Sequence, residues 1–545
     1  MYSYSASALL WKLNGAVVHL ETLLIFSLFV WQSYCNEQSR RKMRVRSSDE
    51  TLSEIPCGSE GYMNGLLKFK SEEFILPNDS RYDVARALYN RKLDLYPSAI
   101  VFASTVTDVQ KAILCAKYLG LKVAVRSGRH GYEGFSSGNG VFMIDVSRMK
   151  QTYFLSDDER ANYPEKFNAM LDGTLPIVKA GTGLENVESY NNLVEYGLTG
   201  PLGSCPSVGL GGSALGGGIG FFIERIGLAV DSIMEYEIVD YTGQIMRVRE
   251  QGTYTDLFWA LNGAGGGEFG VVTAMTIQLS RFRVVTSFSC SAYAGGEKDF
   301  IETWFQTQNR TRDLSMVLWL VHDTTLFEVT GQAFYTGHYA TVQDMLAELI
   351  AFCDMDTLTL SELPYADFVT TYVGSERNDW TNAKLGFTFS STSIFLMQPL
   401  DRSGITAIRT KMANPAINYA YVLVKSMGDV VKQETLRTRS SFAYRDAMSI
   451  VEVIVVWKRQ MLHNLSLSSY DDDAIAANQR SDWIRTMRAI LAPYGKGAYV
   501  NYPDGTIEQP LLEYFGKNLR TLLQIKQKYD PENLFCHAQS LIACT

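Results

Sequence analysis

The chain has 545 residues, 46% of them apolar and 20% charged, values ordinary for folded protein but too long for one hydrophobic core. Its formal net charge of −8, with no long basic run in the body of the chain, speaks against nucleic acid as the main partner. Eight cysteines occur at 35, 57, 115, 205, 290, 353, 536 and 544, and none forms a CxxC pair, which argues against a structural zinc site.

Residues 1–56 read as a targeting segment. An apolar stretch, Leu23–Trp31, precedes the small residues Ser33 and Cys35, the spacing a signal peptidase favours. The stretch is short of the ~20 apolar residues of a comfortable membrane span, so no stable membrane partner is expected. Glu21 and the basic cluster Arg40, Arg41, Lys42, Arg44 and Arg46 leave an anchor or a misplaced start as alternatives. Sequons at Asn78, Asn309 and Asn464 also point to secretion.

From Ala99 the pattern alternates strand and helix. Ala99–Ala103, Val123–Val125, Val141–Val146 and Ile177–Ala180 read as strands. Val109, Ile113, Ala116 and Leu119 share one face of a helix over 106–119. A second helix is expected over 184–196, with Thr182 or Gly183 near its cap. Segment 197–220 then holds ten glycines, where background usage of ~7% gives about two. Such a run lets backbone pass close to a flat or charged ligand. A second cluster, Gly263, Gly265, Gly266, Gly267 and Gly270, follows the apolar run at Leu257-Phe258-Trp259. Beyond about 283 the pattern is mixed strand and helix, and a last helix is expected over 511–528.

Gly209-Leu210-Gly211-Gly212-Ser213-Ala214 satisfies the dinucleotide fingerprint literally, but Ser204-Cys205-Pro206-Ser207 precedes it where an apolar strand is required. A nicotinamide-type Rossmann site is therefore disfavoured. His130 lies in a glycine-containing turn after a strand, and Cys205 opens the glycine-rich loop. Taken singly, each is an ordinary buried or surface residue.

Six words in order give them another meaning. They are Arg126-Ser127-Gly128-Arg129-His130-Gly131-Tyr132-Glu133-Gly134, Gly203-Ser204-Cys205-Pro206-Ser207-Val208-Gly209-Leu210-Gly211-Gly212, Asp256–Leu261, Gly265–Val272, Tyr499-Val500-Asn501-Tyr502-Pro503-Asp504 and Lys528–Phe535. From about Pro97 to Leu541 the chain resembles the FAD-linked oxidases of the berberine bridge enzyme and glucooligosaccharide oxidase type, within the vanillyl-alcohol oxidase superfamily.

The resemblance implies an α+β fold: a two-subdomain FAD-binding domain over 57–282, a substrate domain with an antiparallel sheet backed by helices over 283–498, and a C-terminal segment, 499–545, completing the FAD domain and active site. It implies FAD held covalently, His130 to the C8 methyl group and Cys205 to C6 of the flavin. The residues it places on the cofactor are Arg126, Ser127, Gly128, Arg129, Gly131, Gly203, Ser204, Val208, Gly209, Gly211, Gly212, Gly217, Val271 and Asn501. Tyr502 is the expected general base, its pKa lowered by neighbours from near 10. Tyr499 or Asp504 is second choice, and Tyr132 either touches substrate or braces its turn. Three positions depart from the pattern: Arg129 and Asn262 stand where the family has glycine and arginine, and Ser213 where it has a flavin-contacting histidine.

The function implied is hydride transfer from a substrate alcohol, a sugar's anomeric hydroxyl or another small-molecule alcohol, to covalent flavin. O2 is the expected acceptor because Val208 stands where valine accompanies oxidases and leucine dehydrogenases. The alternatives are an alkaloid or amine oxidase, a dehydrogenase, and a secreted flavin-loaded protein without turnover. The resemblance also implies that Cys115 is paired, with Cys57 the expected partner, and a Cys536–Cys544 bridge is a further candidate.

Overall fold

The computed structural model describes residues 69, 73–163, 175–308, 310–323, 326–374, 388–413, 419–458 and 474–544. The targeting segment, Cys35, Cys57, Asn309 and Asn464 lie outside them.

Short apolar runs form the first sheet. It comprises β1 (Phe74–Ile75), β2 (Ala99–Phe102), β3 (Val123–Arg126) and β4 (Phe142–Asp145), in order β1-β2-β4-β3, with β2, β4 and β3 mutually parallel. The crossover helix Val106–Tyr118 begins where Thr105 and Asp108 form a reciprocal capping box, and it buries Val109, Ala112, Ile113, Cys115 and Ala116 against the sheet side. These elements fall where the apolar periodicity puts them.

Next come β5 (Thr152–Phe154), β6 (Ile177–Gly181), β7 (Leu198–Thr199), β8 (Ile233–Val239), β9 (Ile245–Arg249), β10 (Val271–Gln278) and β11 (Ser280–Arg281). Five of them make an antiparallel sheet in order β5-β6-β10-β8-β9, and β7 pairs with β11 as a small ribbon. The helix after β6 is Asn186–Val194, capped by Glu185 and not by Thr182 or Gly183. Thr182 is engaged elsewhere: its hydroxyl donates to the Val272 carbonyl at 2.7 Å.

The third sheet holds eight antiparallel strands: β12 (Val284–Ser291), β13 (Leu314–Asp323), β14 (Phe327–Tyr335), β15 (Thr359–Pro364), β16 (Thr388–Leu396), β17 (Tyr419–Ser426), β18 (Ser449–Lys458) and β19 (Gly495–Lys496). Their order is β15-β12-β14-β13-β17-β18-β16-β19. The helices Glu297–Thr307, Tyr339–Ile350, Arg402–Met412 and Ala474–Leu491 cover one face and share its core through Trp304, Leu346, Ile408 and Ile484. Because side chains alternate along a strand, Val422 and Val424 of β17 enter that core, while Tyr421, Leu423 and Lys425 face the other way. The fold is thus α+β, as expected.

The C-terminal segment returns to both earlier layers. Tyr499 N–H donates to Ser393 Oγ on β16 at 3.0 Å, and Phe535 bridges Val123 on β3. The single helix expected over 511–528 is two, Pro510–Phe515 and Leu519–Tyr529. Gly516 separates them at φ +46°, a left-handed conformation that ends the first helix.

Disulfides join Cys290 to Cys353 and Cys536 to Cys544. Cys115 is also disulfide-bonded, but its partner, like Cys57, lies outside the described residues. Among the described residues no helix is long and apolar enough to cross a membrane.

Glu224, in the short helix Ile223–Ile226, is fully buried against Ser426 and Gly428. Burial pushes its carboxyl up from the ordinary 4.5 to about 8. The folded state therefore prefers the protonated form. That stabilisation is complete below 4.5 and is lost as pH rises towards 8. Relative to Glu224→Gln, the wild type should lose on the order of a few kcal/mol across this window. Denaturant midpoints of both proteins taken from acid to mildly alkaline pH check this. Parallel pH curves would show that Glu224 ionises normally.

Candidate functional site

Two loops cross at a point where neither tolerates a side chain. A β-carbon on Gly128 would lie 2.2 Å from Gly209 N, and one on Gly209 would lie 2.2 Å from Ser127 Oγ and 2.4 Å from Gly128 N. Such distances exclude any residue but glycine without backbone displacement. The first loop is the exit from β3; the second leads into the helix Leu210–Leu215.

The second loop is pinned along its length. Asn186 N–H donates to Val208 O at 3.0 Å, and its Nδ2 donates to Cys205 O at 2.8 Å. Val187 N–H donates to Pro206 O at 2.9 Å. Ser127 Oγ–H donates to Thr182 O at 2.7 Å, fixing the first loop to the same turn. The crossing delivers His130 and Cys205 to one cavity of ≈ 370 Å³.

Of the residues singled out in the sequence, His130, Cys205, Ser127, Gly128, Arg129, Gly131, Gly203, Ser204, Val208, Gly209, Gly211, Gly212, Tyr499, Asn501 and Tyr502 line this cavity. Arg126, Gly217 and Val271 stand behind its wall. Arg126 is buried and its Nε donates to Asp145 Oδ2 at 2.5 Å, because the strand's alternation turns Val125 and not Arg126 towards the cavity. The same alternation presents Val272 and buries Val271 in β10. Gly217, at φ +128°, makes room for Phe442 and Tyr499: its β-carbon would lie 2.8 Å from Phe442 Cδ2.

Several wall residues escaped the sequence reading. Tyr89 stacks on His130 with ring centroids 4.1 Å apart. Trp319, Tyr421, Leu423, Lys425 and Glu452 come from the uncovered face of the eight-stranded sheet. A lone Glu in the apolar strand Ser449–Lys458, and a Lys at the exposed phase of Tyr419–Ser426, were the available signals.

Around Tyr502 these groups form a buried polar cluster. Lys425 Nζ lies 3.5 Å from Tyr502 Oη, and Tyr132 Oη–H donates to Glu452 Oε1 at 2.8 Å. Tyr132 stacks on Tyr502 at 5.8 Å. Tyr502 does not have the lowered pKa expected of it. Burial, reinforced by the Glu452 charge, pushes its hydroxyl well above 10. Burial also pushes Glu452 up from 4.5 and Lys425 down from 10.5. The Tyr499 hydroxyl is committed to structure, accepting from Gly218 N–H at 3.0 Å and Asn501 Nδ2 at 2.9 Å. Asp504 is buried away from the cavity wall.

His130 Nε2 and Ser207 Oγ are 3.0 Å apart. Burial pushes the imidazole down to about 3, so it is neutral throughout the physiological range. Cys205 is open to the cavity but enclosed by protein, and that enclosure pushes its thiol up. Of the departures from the resembled pattern, Ser213 turns its hydroxyl back to Gly209 O at 2.9 Å, and Asn262 is buried, accepting from Tyr236 Oη at 2.6 Å. Arg129 adopts φ +64°.

Residues 97–249 match the FAD binding domain family, and residues 498–542 match the berberine and berberine-like family. The chain thus carries an FAD binding domain and a berberine-like C-terminal segment, and resembles the berberine bridge enzyme-like FAD-linked oxidoreductases. It is 28% identical to the uncharacterised FAD-linked oxidoreductase YgaK of Bacillus subtilis, over 85% of this chain and 95% of that one. It is 26% identical to a xylooligosaccharide oxidase of Thermothelomyces thermophilus, over 85% of this chain and 91% of that one. Among solved structures, BBE-like 1 of Physcomitrella patens superimposes with a TM-score of 0.72 at 24% identity, covering 87% of this chain and 97% of that one.

The cavity's glycine wall fits the FAD that the matched FAD binding domain implies. A β-carbon on Gly212 would meet no protein atom within 4 Å, so this backbone faces open cavity, the surface a flat cofactor needs. Gly212→Ala should therefore leave unfolding of the cofactor-free protein nearly unchanged but lower its flavin content. Gly209→Ala, at the crossing, should cost ~2 kcal/mol or more in stability. Thermal unfolding and flavin absorbance on both variants distinguish the two glycines.

Proposed function

We propose that this oxidoreductase takes hydride from a small-molecule alcohol, a sugar's anomeric hydroxyl being the leading case, with FAD joined to His130 and Cys205 and O2 as acceptor. The observation that carries the reading is the convergence of four groups on one cavity: two nucleophiles on crossing loops, and Tyr502 with Glu452 opposite them. Bound flavin would supply the hydride acceptor and pass the electron pair onward. In this reading 57–282 with 499–545 serves the cofactor and 283–498 the substrate.

The chain's own part is to bind, orient and move a proton. Tyr502 donates to or accepts from the substrate hydroxyl, and Lys425 at 3.5 Å keeps its oxygen oriented. Tyr502 is a poor final acceptor because burial disfavours its anion. Glu452 is the better one: its raised pKa makes it a stronger base than an ordinary carboxylate while leaving it ionised at higher pH. Trp319, Tyr421 and Leu423 supply apolar walls that exclude water. Val208 stands on the wall beside Cys205, and its small side chain supports oxygen access. The disulfides and the exposed sequon at Asn78 support passage through the secretory pathway.

Anaerobic mixing with a panel of sugars, aromatic alcohols and alkaloids tests the reaction. Bleaching by alcohols, followed by fast reoxidation and H2O2 release in air, is expected; failure of every compound would leave only the non-catalytic reading. The bleaching rate should rise with pH through a pKa above the ordinary carboxylate range. Glu452→Gln should remove that rise and slow reduction by ~10²-fold or more, as should Tyr502→Phe in rate alone.

Attachment is tested by denaturation. Wild-type protein should keep its flavin after acid precipitation, and either His130→Ala or Cys205→Ala should keep it through the remaining bond. The double variant should release all of it, and retained flavin would place the attachment elsewhere.

A further inference from the structure

Asn90 is 1% exposed and commits every hydrogen bond its amide can make to three segments of the chain. Its Nδ2 donates to Tyr132 O at 2.8 Å and to Phe389 O at 3.1 Å. Its Oδ1 accepts from Phe389 N–H at 3.3 Å and from Lys92 N–H at 3.2 Å. On this edge β19 pairs only with Phe395 and Leu396 of β16, so at Phe389 the amide takes the place of a neighbouring strand. Lys92 ties the same parts together, its Nζ donating to Glu133 Oε1 at 2.9 Å and to Ser390 Oγ at 3.4 Å. Segment 89–92 thus straps the loop that leaves β3 to the eight-stranded sheet.

The strap places Tyr132. The ring of Tyr132 meets Phe389 edge-on at 4.8 Å and stacks on Tyr502 at 5.8 Å. Its hydroxyl donates to Glu452 Oε1 on β18 at 2.8 Å.

We propose that Asn90 and Tyr132 are positioning residues for Glu452: the Asn90 amide fixes the Tyr132 turn against β16, and the Tyr132 hydroxyl holds Glu452 Oε1, setting the orientation and basicity of the carboxylate. The inference rests on the reading of Glu452 as the proton acceptor in substrate oxidation.

A carboxylate that takes a proton from substrate must be ionised beforehand and must point at the substrate hydroxyl. Enclosure opposes the first, pushing Glu452 up from 4.5. A donated hydrogen bond favours the charged form. Tyr132 supplies one at any working pH, because burial pushes its own hydroxyl well above 10 and keeps it protonated. The other titratable groups facing Glu452 are Lys425 and Tyr421 from β17, Tyr499 and Tyr502 from the C-terminal segment, Cys205, and Tyr89 beside Asn90. Lys425 favours ionisation, but burial pushes its own pKa down. On β16 the residue paired with Glu452 is Ser393, which does not titrate.

The sign of one shift separates positioning from mere support. Losing the Tyr132 hydrogen bond destabilises the Glu452 anion and pushes its pKa further up. Loosening the wall admits water and brings it back towards 4.5.

The test takes pH-difference infrared spectra of flavin-loaded wild type, Tyr132→Phe, Asn90→Ala and Glu452→Gln. The carboxyl C=O band that Glu452→Gln lacks belongs to Glu452. Tyr132→Phe keeps the ring, and its midpoint should lie about one pH unit or more above that of wild type. Asn90→Ala should move it in the same direction. The pH at which anaerobic flavin reduction by glucose, xylobiose or benzyl alcohol rises should move with it. A midpoint unchanged or lowered in Tyr132→Phe overturns the proposal, whether or not Asn90→Ala folds. A midpoint unchanged or lowered in Asn90→Ala alone overturns the part given to Asn90. A raised midpoint with an unmoved rate profile, or wild type that none of the three compounds reduces, would instead refute Glu452 as the acceptor, and this inference with it.

Discussion

The contact between Gly128 and Gly209 is the constraint on which the site depends. Two backbones meet there at distances that leave no space for a β-carbon on either side. Without this approach the exit of β3 and the entrance to Leu210–Leu215 would be separate loops on separate sheets. With it, the cavity acquires His130 from one and Cys205 from the other. The supporting bonds run to the same place: Thr182, Leu184, Asn186 and Val187 accept from or donate to residues of both loops. The turn after β6 is therefore a scaffold for the crossing, which explains why its threonine is committed to β10 and leaves helix capping to Glu185.

The opposite wall obeys a different rule. An antiparallel sheet covered by helices on one face must present every second side chain to the other. On β17 and β18 those positions carry Lys425 and Glu452, diagonal neighbours in a register that pairs Leu423 with Glu452 and Lys425 with Ile450. Burial raises the pKa of the acid and lowers that of the base, so each holds its charge less firmly than in water. Groups in that state are suited to exchanging protons with a hydroxyl between them, and Tyr502 occupies that position.

These two walls were unequally legible in the sequence. The glycine-rich wall was readable because its chemistry is local: the glycines, His130 and Cys205 stand in short contiguous words whose spacing survives folding. Even there, strand phase was a separate question. Arg126 and Val271 belong to the right words but lie on the hidden side of their strands, one residue from Val125 and Val272, which face the cavity. The sheet-borne wall was not readable in the same way. Lys425 and Glu452 are 27 positions apart, and only the pairing of β17 with β18 makes them neighbours. Tyr502 was found by its word, yet its expected acidity failed because a tyrosine's pKa depends on what encloses it, and here burial and a carboxylate both act against ionisation.

Arg129 shows how a departure from a pattern acquires physical content. At φ +64° it occupies the left-handed region, where a side chain costs roughly 1 kcal/mol or more and glycine costs nothing. The backbone there is not free to relax, since the Arg129 carbonyl accepts from Tyr89 N–H at 3.1 Å and the chain must then present His130 beneath the Tyr89 ring. The conformation is set by the loop, and the arginine tolerates it. Its guanidinium offsets part of the strain: Nη1 donates to Val84 O at 3.3 Å, and its charge helps to hold Asp145 ionised beside Arg126. The side chain thus ties the His130 turn to the buried Arg126–Asp145 pair at the ends of β3 and β4. The strain and the tether have one cause, the need to hold the residue after Arg129 at a fixed place in the cavity.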